Sequence, residues 1–350
     1  MFNSHHAHED YYTVLDKSFL THESSTINLR NENDTSSLIP PSSEIMKILE
    51  SELLKIVQLN VVMDATQCNH TEEGRVSEKP SENSNPSLRR VLMNGDIIHE
   101  IWCVGIFGSH VYGLVRDDSD LDLFVVVSND LGEQIEEKQR AIGKRDYTYQ
   151  FSTSISFENT RSKNVDFTIY SETLFNKLVN EFVLCAMEFV SILTSEHLSS
   201  FVLLKSNKME LIQTPSLISL QEKSEVKQLV RKSISYEADH SFVKAKNKMT
   251  KELNIEKGMK ALFHSFRTVV FGVQIAKFGC ITDFTEANHY QTEIHKTFNS
   301  SSIQTLLSDF SEKMDAAIGA QVWEVFKKVF KVKLNQLQTT FRKALMGSQQ

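Results

Sequence analysis

The stretch FGSHVYGLVRDDSDLDLFVVV, Phe107 to Val127, decides how this chain is read. A Gly-Ser pair closes one apolar segment. About ten residues later an Asp-Leu-Asp triplet opens another, the run Leu-Phe-Val-Val-Val. Either this is a turn followed by a charged strand end, or it is a device for holding phosphates and metal ions.

The chemistry favours the second reading. IWCVGIF reads as a short buried strand ending at Phe107. Gly108 lets the backbone approach a ligand with no side chain in the way. Ser109 is expected to open a short helix, where N–H groups favour an anion such as phosphate and its hydroxyl adds a donor. LDLFVVV reads as a second strand, dense in β-branched residues. Positions two apart on a strand share a face, so Asp120 and Asp122 point one way while Leu121 and Leu123 point into a core. Side-by-side carboxylates repel unless a cation lies between them. Mg²⁺ takes hard oxygen ligands, commonly one or two carboxylates plus substrate phosphates.

A third acid stands in NVDFTIY, where Val165, Phe167 and Ile169 alternate with Asp166, Thr168 and Tyr170. DYTYQFSTSISF and NVDFTIYS are predicted to form a hairpin over 145–170, with Asp166 on a polar strand face beside the Asp-x-Asp strand. Three carboxylates permit two Mg²⁺ or Mn²⁺ ions. Asp120, Asp122 and Asp166 are thus both the metal ligands and the catalytic candidates, Asp166 as the acceptor of the attacking hydroxyl's proton.

GSHVYGL with DSDLDLFVV resembles the nucleotidyltransferases of the DNA polymerase β superfamily. Within it, the chain is similar to predicted nucleotidyltransferases associated with RNA repair. Those show a similar GS-x-x-YG and SD-x-D and a following helix like LVNEFVLCAMEFVSIL. They also carry a later Lys, His and Arg stretch like KGMKALFHSFRTVVFGVQ, and GCI. The likeness covers roughly 90–285. It implies an α+β fold, a polymerase β-like mixed sheet with helices followed by an all-helical domain. It also implies an NTP substrate such as ATP, with Gly108 and Ser109 on the β- and γ-phosphates and the three aspartates on the metals.

The rest of the chain sets bounds. With 350 residues, 38 basic and 45 acidic, a net charge of -7 excludes a global bias toward nucleic acid. Cysteines at 68, 103, 185 and 280 form no CxxC pair, and a reducing intracellular compartment, cytoplasmic or nuclear, is expected. Cys103 is expected in a buried strand. The N-terminus lacks a signal-peptide pattern, and no apolar run approaches a membrane span, so no membrane partner is expected.

Residues 1–40, rich in Ser, Asn, Thr and His, are expected to be a disordered tail. A nucleotidyltransferase domain is expected over 41–190, with an exposed insertion near 70–90, then a helical domain over 191–345. Ser42 or Ser43 caps a predicted helix in which Ile45, Ile48, Leu49, Leu53, Ile56 and Val57 recur at helical spacing. SETLFNKLVNEFVLCAMEFVSIL reads as one helix capped by Ser171, and strand signals vanish after about residue 190.

In the helical half, 223–267 holds eleven Lys or Arg against five acids. Lys260, His264 and Arg267 fall on one helical face and are candidate nucleotide-binding groups, the segment being a basic wall for triphosphate or an RNA backbone. A solvated helix face accounts for the segment as well. Tyr236, Phe242, Phe263 and Phe266 could stack a base, although aromatics at such spacing are more often core. The basic, amphipathic tail VFKKVFKVKLNQLQTTFRKAL is read as a helix packing on its own domain.

The function these observations favour is transfer of a nucleoside monophosphate from an NTP to an acceptor hydroxyl, with release of pyrophosphate. An RNA end is the favoured acceptor. The alternatives are AMP transfer to a protein or small molecule, and a catalytically silent nucleotide- or RNA-binding module. Oligomeric state is left open.

Overall fold

The computed structural model describes residues 42–54, 97–116, 119–141, 149–155, 163–211, 224–308 and 316–347. The tail over 1–40, the insertion near 70–90, and Ile56 and Val57 of the first predicted helix lie outside the described residues. That helix, α1, covers 42–54. Ile45, Leu49 and Leu53, four apart on one face, are fully buried.

The sheet is built from β1 (Ile101–Phe107), β2 (Leu121–Val127), β3 (Tyr149–Ile155), β4 (Lys163–Ser171) and β5 (Val202–Lys205), in spatial order β3-β4-β2-β1-β5. β2 pairs parallel to β4, and β3 pairs antiparallel to β4, so the predicted hairpin forms and the sheet is mixed. From Leu123 to Val127, β2 reads as a continuous apolar run because both faces are covered there. Cys103 is fully buried in β1, where desolvation pushes its thiol up to about 12. Such a thiol is inert at neutral pH.

Helices α2 (Asn129–Ala141), α3 (Glu172–Asn180) and α4 (Leu184–Thr194) complete this region. Two expectations are corrected. The single helix expected after Ser171 is two, because the chain turns at Phe182, whose φ is +55°. Ser233 Oγ donates to the Phe182 carbonyl at 2.8 Å and holds that turn. Strand structure also does not end near 190. β5 forms from Val202-Leu-Leu-Lys205, a run too short for periodicity to separate strand from helix.

The remainder is helical: α5 (Ser224–Thr250), α6 (Ile255–Phe278), α7 (Asn288–Phe298), α8 (Ser301–Ser308) and α9 (Ala316–Met346). Asn254 caps α6 by accepting from the Lys257 amide at 2.9 Å, and Gly279, at φ +79°, ends it in the left-handed conformation that suits glycine. The amphipathic tail packs on its own unit: Phe326, Phe330, Leu334, Phe341 and Leu345 of α9 join the core that α5 and α6 share. The overall fold is α+β. No helix of the described residues is long and apolar enough to cross a membrane.

The chain divides into two compact units that interleave in sequence. One takes described residues of Met1–Val104, Arg116–Leu174 and Leu203–Asn207; the other takes those of Gly105–Val115, Phe175–Val202 and Lys208–Gln350. In the first, Ser128 opens α2 by accepting from the Leu131 amide at 3.3 Å, and its own amide donates to the Glu100 carbonyl at 2.8 Å. Ser171 opens α3 in the same way, accepting from the Leu174 amide at 3.3 Å, as its sequence position predicts. α2 then crosses the end of β4 so closely that a Cβ on Gly132 would collide with the Ser171 side chain and approach its Cα to 3.1 Å. Gly132→Ala is expected to destabilise the protein by about 1–2 kcal/mol, because overpacking outweighs the helix propensity that alanine adds. Urea denaturation checks this.

Candidate active site

β2 and β4 place two of the three predicted acids side by side. Their parallel register pairs Asp122 with Asp166, between the pairs Leu121–Val165 and Leu123–Phe167. Register partners on adjacent strands stand about 4.8 Å apart and project to the same face. Asp122 is the one position of β2 that is not buried, and Asp166 the one position over 165–171. Each strand is buried everywhere along that span except where its carboxylate reaches solvent. Asp120, two residues before Asp122, is half-buried as the chain enters β2. A turn just upstream sets this entry: the Arg116 amide donates to Ser119 Oγ at 2.8 Å, and the Ser119 amide returns to the Arg116 carbonyl at 3.0 Å.

The donor set is chemically suited to Mg²⁺ or Mn²⁺, being hard carboxylate oxygens at the partly exposed end of an apolar strand pair. Among the described residues, no three His, Cys, Asp or Glu side chains already gather as a cation cage. Mg²⁺ seldom uses an all-protein cage; it takes one or two carboxylates and completes its shell with phosphate oxygens and water.

Gly108 and Ser109 lie at the end of β1. Gly108 has φ +73°, a conformation in which a side chain is strained. The helix expected at Ser109 is a single 3-10 turn, Gly108–His110. The Val111 and Tyr112 amides both donate to the Gly108 carbonyl, each at 3.1 Å, and the Leu114 amide donates to the Ser109 carbonyl at 2.9 Å. The glycine therefore reverses the chain where β1 stops and leaves Ser109 half-exposed.

Comparison with known proteins bears on this arrangement. Residues 101–180, which span all of these groups, match the model of the nucleotidyltransferase domain family. This segment is similar to nucleotidyltransferase domains, and the match supports the polymerase β-like superfamily. Among solved structures, a nucleotidyltransferase-like protein from Exiguobacterium sibiricum 255-15 is 11% identical, with 74% of this chain and 76% of that one covered and a TM-score of 0.23. A likeness that weak adds nothing to the domain match. No curated protein matches the sequence.

The matched segment also carries Tyr112, in the second unit, and this residue gathers a partly buried polar network that the sequence did not disclose. Tyr112 Oη donates to Glu188 Oε2 of α4 at 3.0 Å. The Arg267 guanidinium of α6 lies 3.9 Å over the Tyr112 ring. Arg267 Nη2 donates to His264 Nδ1 at 2.8 Å, and His264 Nε2 lies 3.1 Å from Glu237 Oε1. Arginine only donates, so His264 must accept at Nδ1 and carry its proton on Nε2, which donates to Glu237. Desolvation lowers the His264 pKa, opposed by the bond to Glu237, and a neutral ring is what the Arg267 bond requires.

Of the three predicted cations on the α6 face, His264 and Arg267 are engaged inside this network, whereas Lys260 is exposed. Phe242, Phe263 and Phe266 are core residues rather than a stacking platform, Phe266 lying stacked against Tyr290 at 4.4 Å between ring centroids. Glu188 was the network's legible signal: a lone acid in Leu-Cys-Ala-Met-Glu-Phe-Val-Ser-Ile-Leu, an otherwise almost wholly apolar helix.

Burial pushes the Glu188 carboxyl up to about 7; Arg267 opposes the rise, Glu237 adds to it, and the Tyr112 bond opposes it. The folded state therefore holds this proton more tightly than the unfolded chain does. The stability so contributed is complete below about pH 4.5 and is lost as pH rises through about 7. Glu188→Gln, which still accepts from Tyr112, is expected to gain stability relative to wild type between pH 5 and pH 8, by up to about 3 kcal/mol. Chemical denaturation of both proteins across that range reads the difference.

Proposed function

We propose that the protein transfers a nucleoside monophosphate from an NTP to an acceptor hydroxyl and releases pyrophosphate, with an RNA end as the acceptor. The observation that carries this reading is the in-register pair Asp122–Asp166 inside the segment that matches the nucleotidyltransferase domain family. Asp120, Asp122 and Asp166 would hold two divalent ions, Mg²⁺ or Mn²⁺. Bound there, the ions supply charge neutralisation on the triphosphate and a lowered pKa for the attacking hydroxyl.

The chain's own residues do the rest. Asp166, on β4, accepts the proton of the attacking hydroxyl. Gly108 and Ser109 grip the β- and γ-phosphates, the positive-φ glycine keeping the backbone open to them. Lys260, exposed on α6, adds positive charge for the polyphosphate. Positioning and electrostatics supply most of the acceleration in such chemistry.

Support for an RNA acceptor comes from the second unit. α5 and α9 form an open groove lined by Arg231, Lys232 and Arg342 with Gln228, Ser235, Asp239 and Gln338. Three cations to one carboxylate, with amides between them, suit a sugar-phosphate backbone better than a protein surface.

The test uses each α-labelled NTP, Mg²⁺ or Mn²⁺, and total cellular RNA or protein as acceptor. Label should enter RNA. Asp120→Ala, Asp122→Ala and Asp166→Ala should each reduce transfer by at least about 100-fold, and Ser109→Ala by about tenfold. Transfer that survives Asp122→Ala contradicts the metal-holding role, and label in protein alone replaces the acceptor.

A further inference from the structure

Tyr112 holds the segment that carries Gly108 and Ser109 through three of its chemically distinct parts. Its hydroxyl donates to Glu188 Oε2 on α4 at 3.0 Å. Its ring lies under the Arg267 guanidinium of α6 at 3.9 Å and beside Phe271 and Phe284, with centroids 6.1 and 6.2 Å away. Its carbonyl accepts from Asn288 Nδ2, at the start of α7, at 2.8 Å. Tyr112 is itself buried.

Each of these holders is fixed in turn. Gln274, buried in α6, accepts at Oε1 from the Thr282 and Asp283 amides at 2.7 and 2.9 Å. Ser191 Oγ of α4 accepts from the Ile281 amide at 2.8 Å. These bonds rigidify the segment that presents Phe284 and leads to Asn288. Arg267 is anchored through His264 to Glu237. Buried polar groups assembled on one tyrosine are expensive to desolvate, and packing alone needs only its ring.

A backbone bond gives the assembly a purpose. The Tyr112 amide bonds to the Gly108 carbonyl at 3.1 Å, and that carbonyl belongs to the Gly108–Ser109 peptide. Fixing Tyr112 therefore fixes the orientation of the Gly108–Ser109 peptide.

We propose that Tyr112, clamped by Glu188, Arg267 and Asn288, is the positioning residue that preorganises the Gly108–Ser109 grip for the NTP polyphosphate. This rests on the nucleotide reading of that grip. Arg267 then acts on the nucleotide through Tyr112 rather than by touching it. The charged and titratable groups facing the clamp are Glu188, Arg267, His264 and Glu237, with Lys244 acting on His264. Among the described residues, one buried atom on each side, Glu188 Oε1 and Arg267 Nε, has no hydrogen-bond partner.

Three variants of the full chain test the clamp: Tyr112→Phe deletes only the hydroxyl, Glu188→Leu deletes its acceptor, and Glu188→Gln keeps an acceptor. Each is titrated calorimetrically with every NTP and Mg²⁺, and amide exchange is followed over 108–113. Tyr112→Phe and Glu188→Leu should raise the NTP Kd about tenfold, with faster exchange over 108–113 and wild-type exchange in α9. Glu188→Gln should restore the Kd to within about threefold of wild type. Where Glu188→Leu does not fold, Tyr112→Phe decides. An unchanged Kd in Tyr112→Phe, with wild-type NTP binding intact, overturns the clamp and leaves the nucleotide reading standing. No NTP binding by wild type overturns both.

Discussion

Two carboxylates stand side by side at the partly exposed end of an otherwise buried strand pair. The register of β2 on β4 makes this placement unavoidable, because the flanking pairs Leu121–Val165 and Leu123–Phe167 are buried. A slip of one residue would turn Asp122 onto the buried face of Leu121 and Leu123. The core thus fixes Asp122 against Asp166, and the candidate chemistry follows from that constraint. Under the proposed function, a divalent cation would be held between these carboxylates, with phosphate oxygens completing its shell.

Much of this was legible from short-range pattern. The strands around the acids could be read because β-branched and aromatic residues cluster there, and the polar position in each stands out against them. The β3–β4 hairpin and the capping role of Ser171 follow from equally local signals, whereas the mixed sheet was what the family resemblance implied. The break at Phe182 was not legible. A non-glycine residue at φ +55° is held there by Ser233, 51 positions away, and no local propensity announces it. β5 escaped for a different reason: four residues carry too little periodicity to declare a strand.

The helical half shows the same division. Spacing correctly grouped Lys260, His264 and Arg267 on α6, but not what each side chain would meet. Arg267 meets an aromatic ring and a histidine, and the histidine meets a buried glutamate. These partners come from α4, α5 and the segment after β1, and only the folded second unit brings them together. Glu188 stands out as the lone acid of an apolar helix, but nothing local names Tyr112 as its partner. Their pairing, separated by 76 positions, gives Arg267 its setting.

The claim on which the account turns is that Asp122 and Asp166 together hold a divalent cation in the presence of nucleotide. Electron paramagnetic resonance of Mn²⁺ reads it directly, because free Mn²⁺ gives a strong six-line signal that fades on coordination. Titrating Mn²⁺ into the full chain with a non-hydrolysable NTP analogue should quench that signal well beyond the quench by the analogue alone. Asp122→Asn and Asp166→Asn should each return it to the level of the analogue alone. Wild-type quenching that persists in both variants would contradict the account.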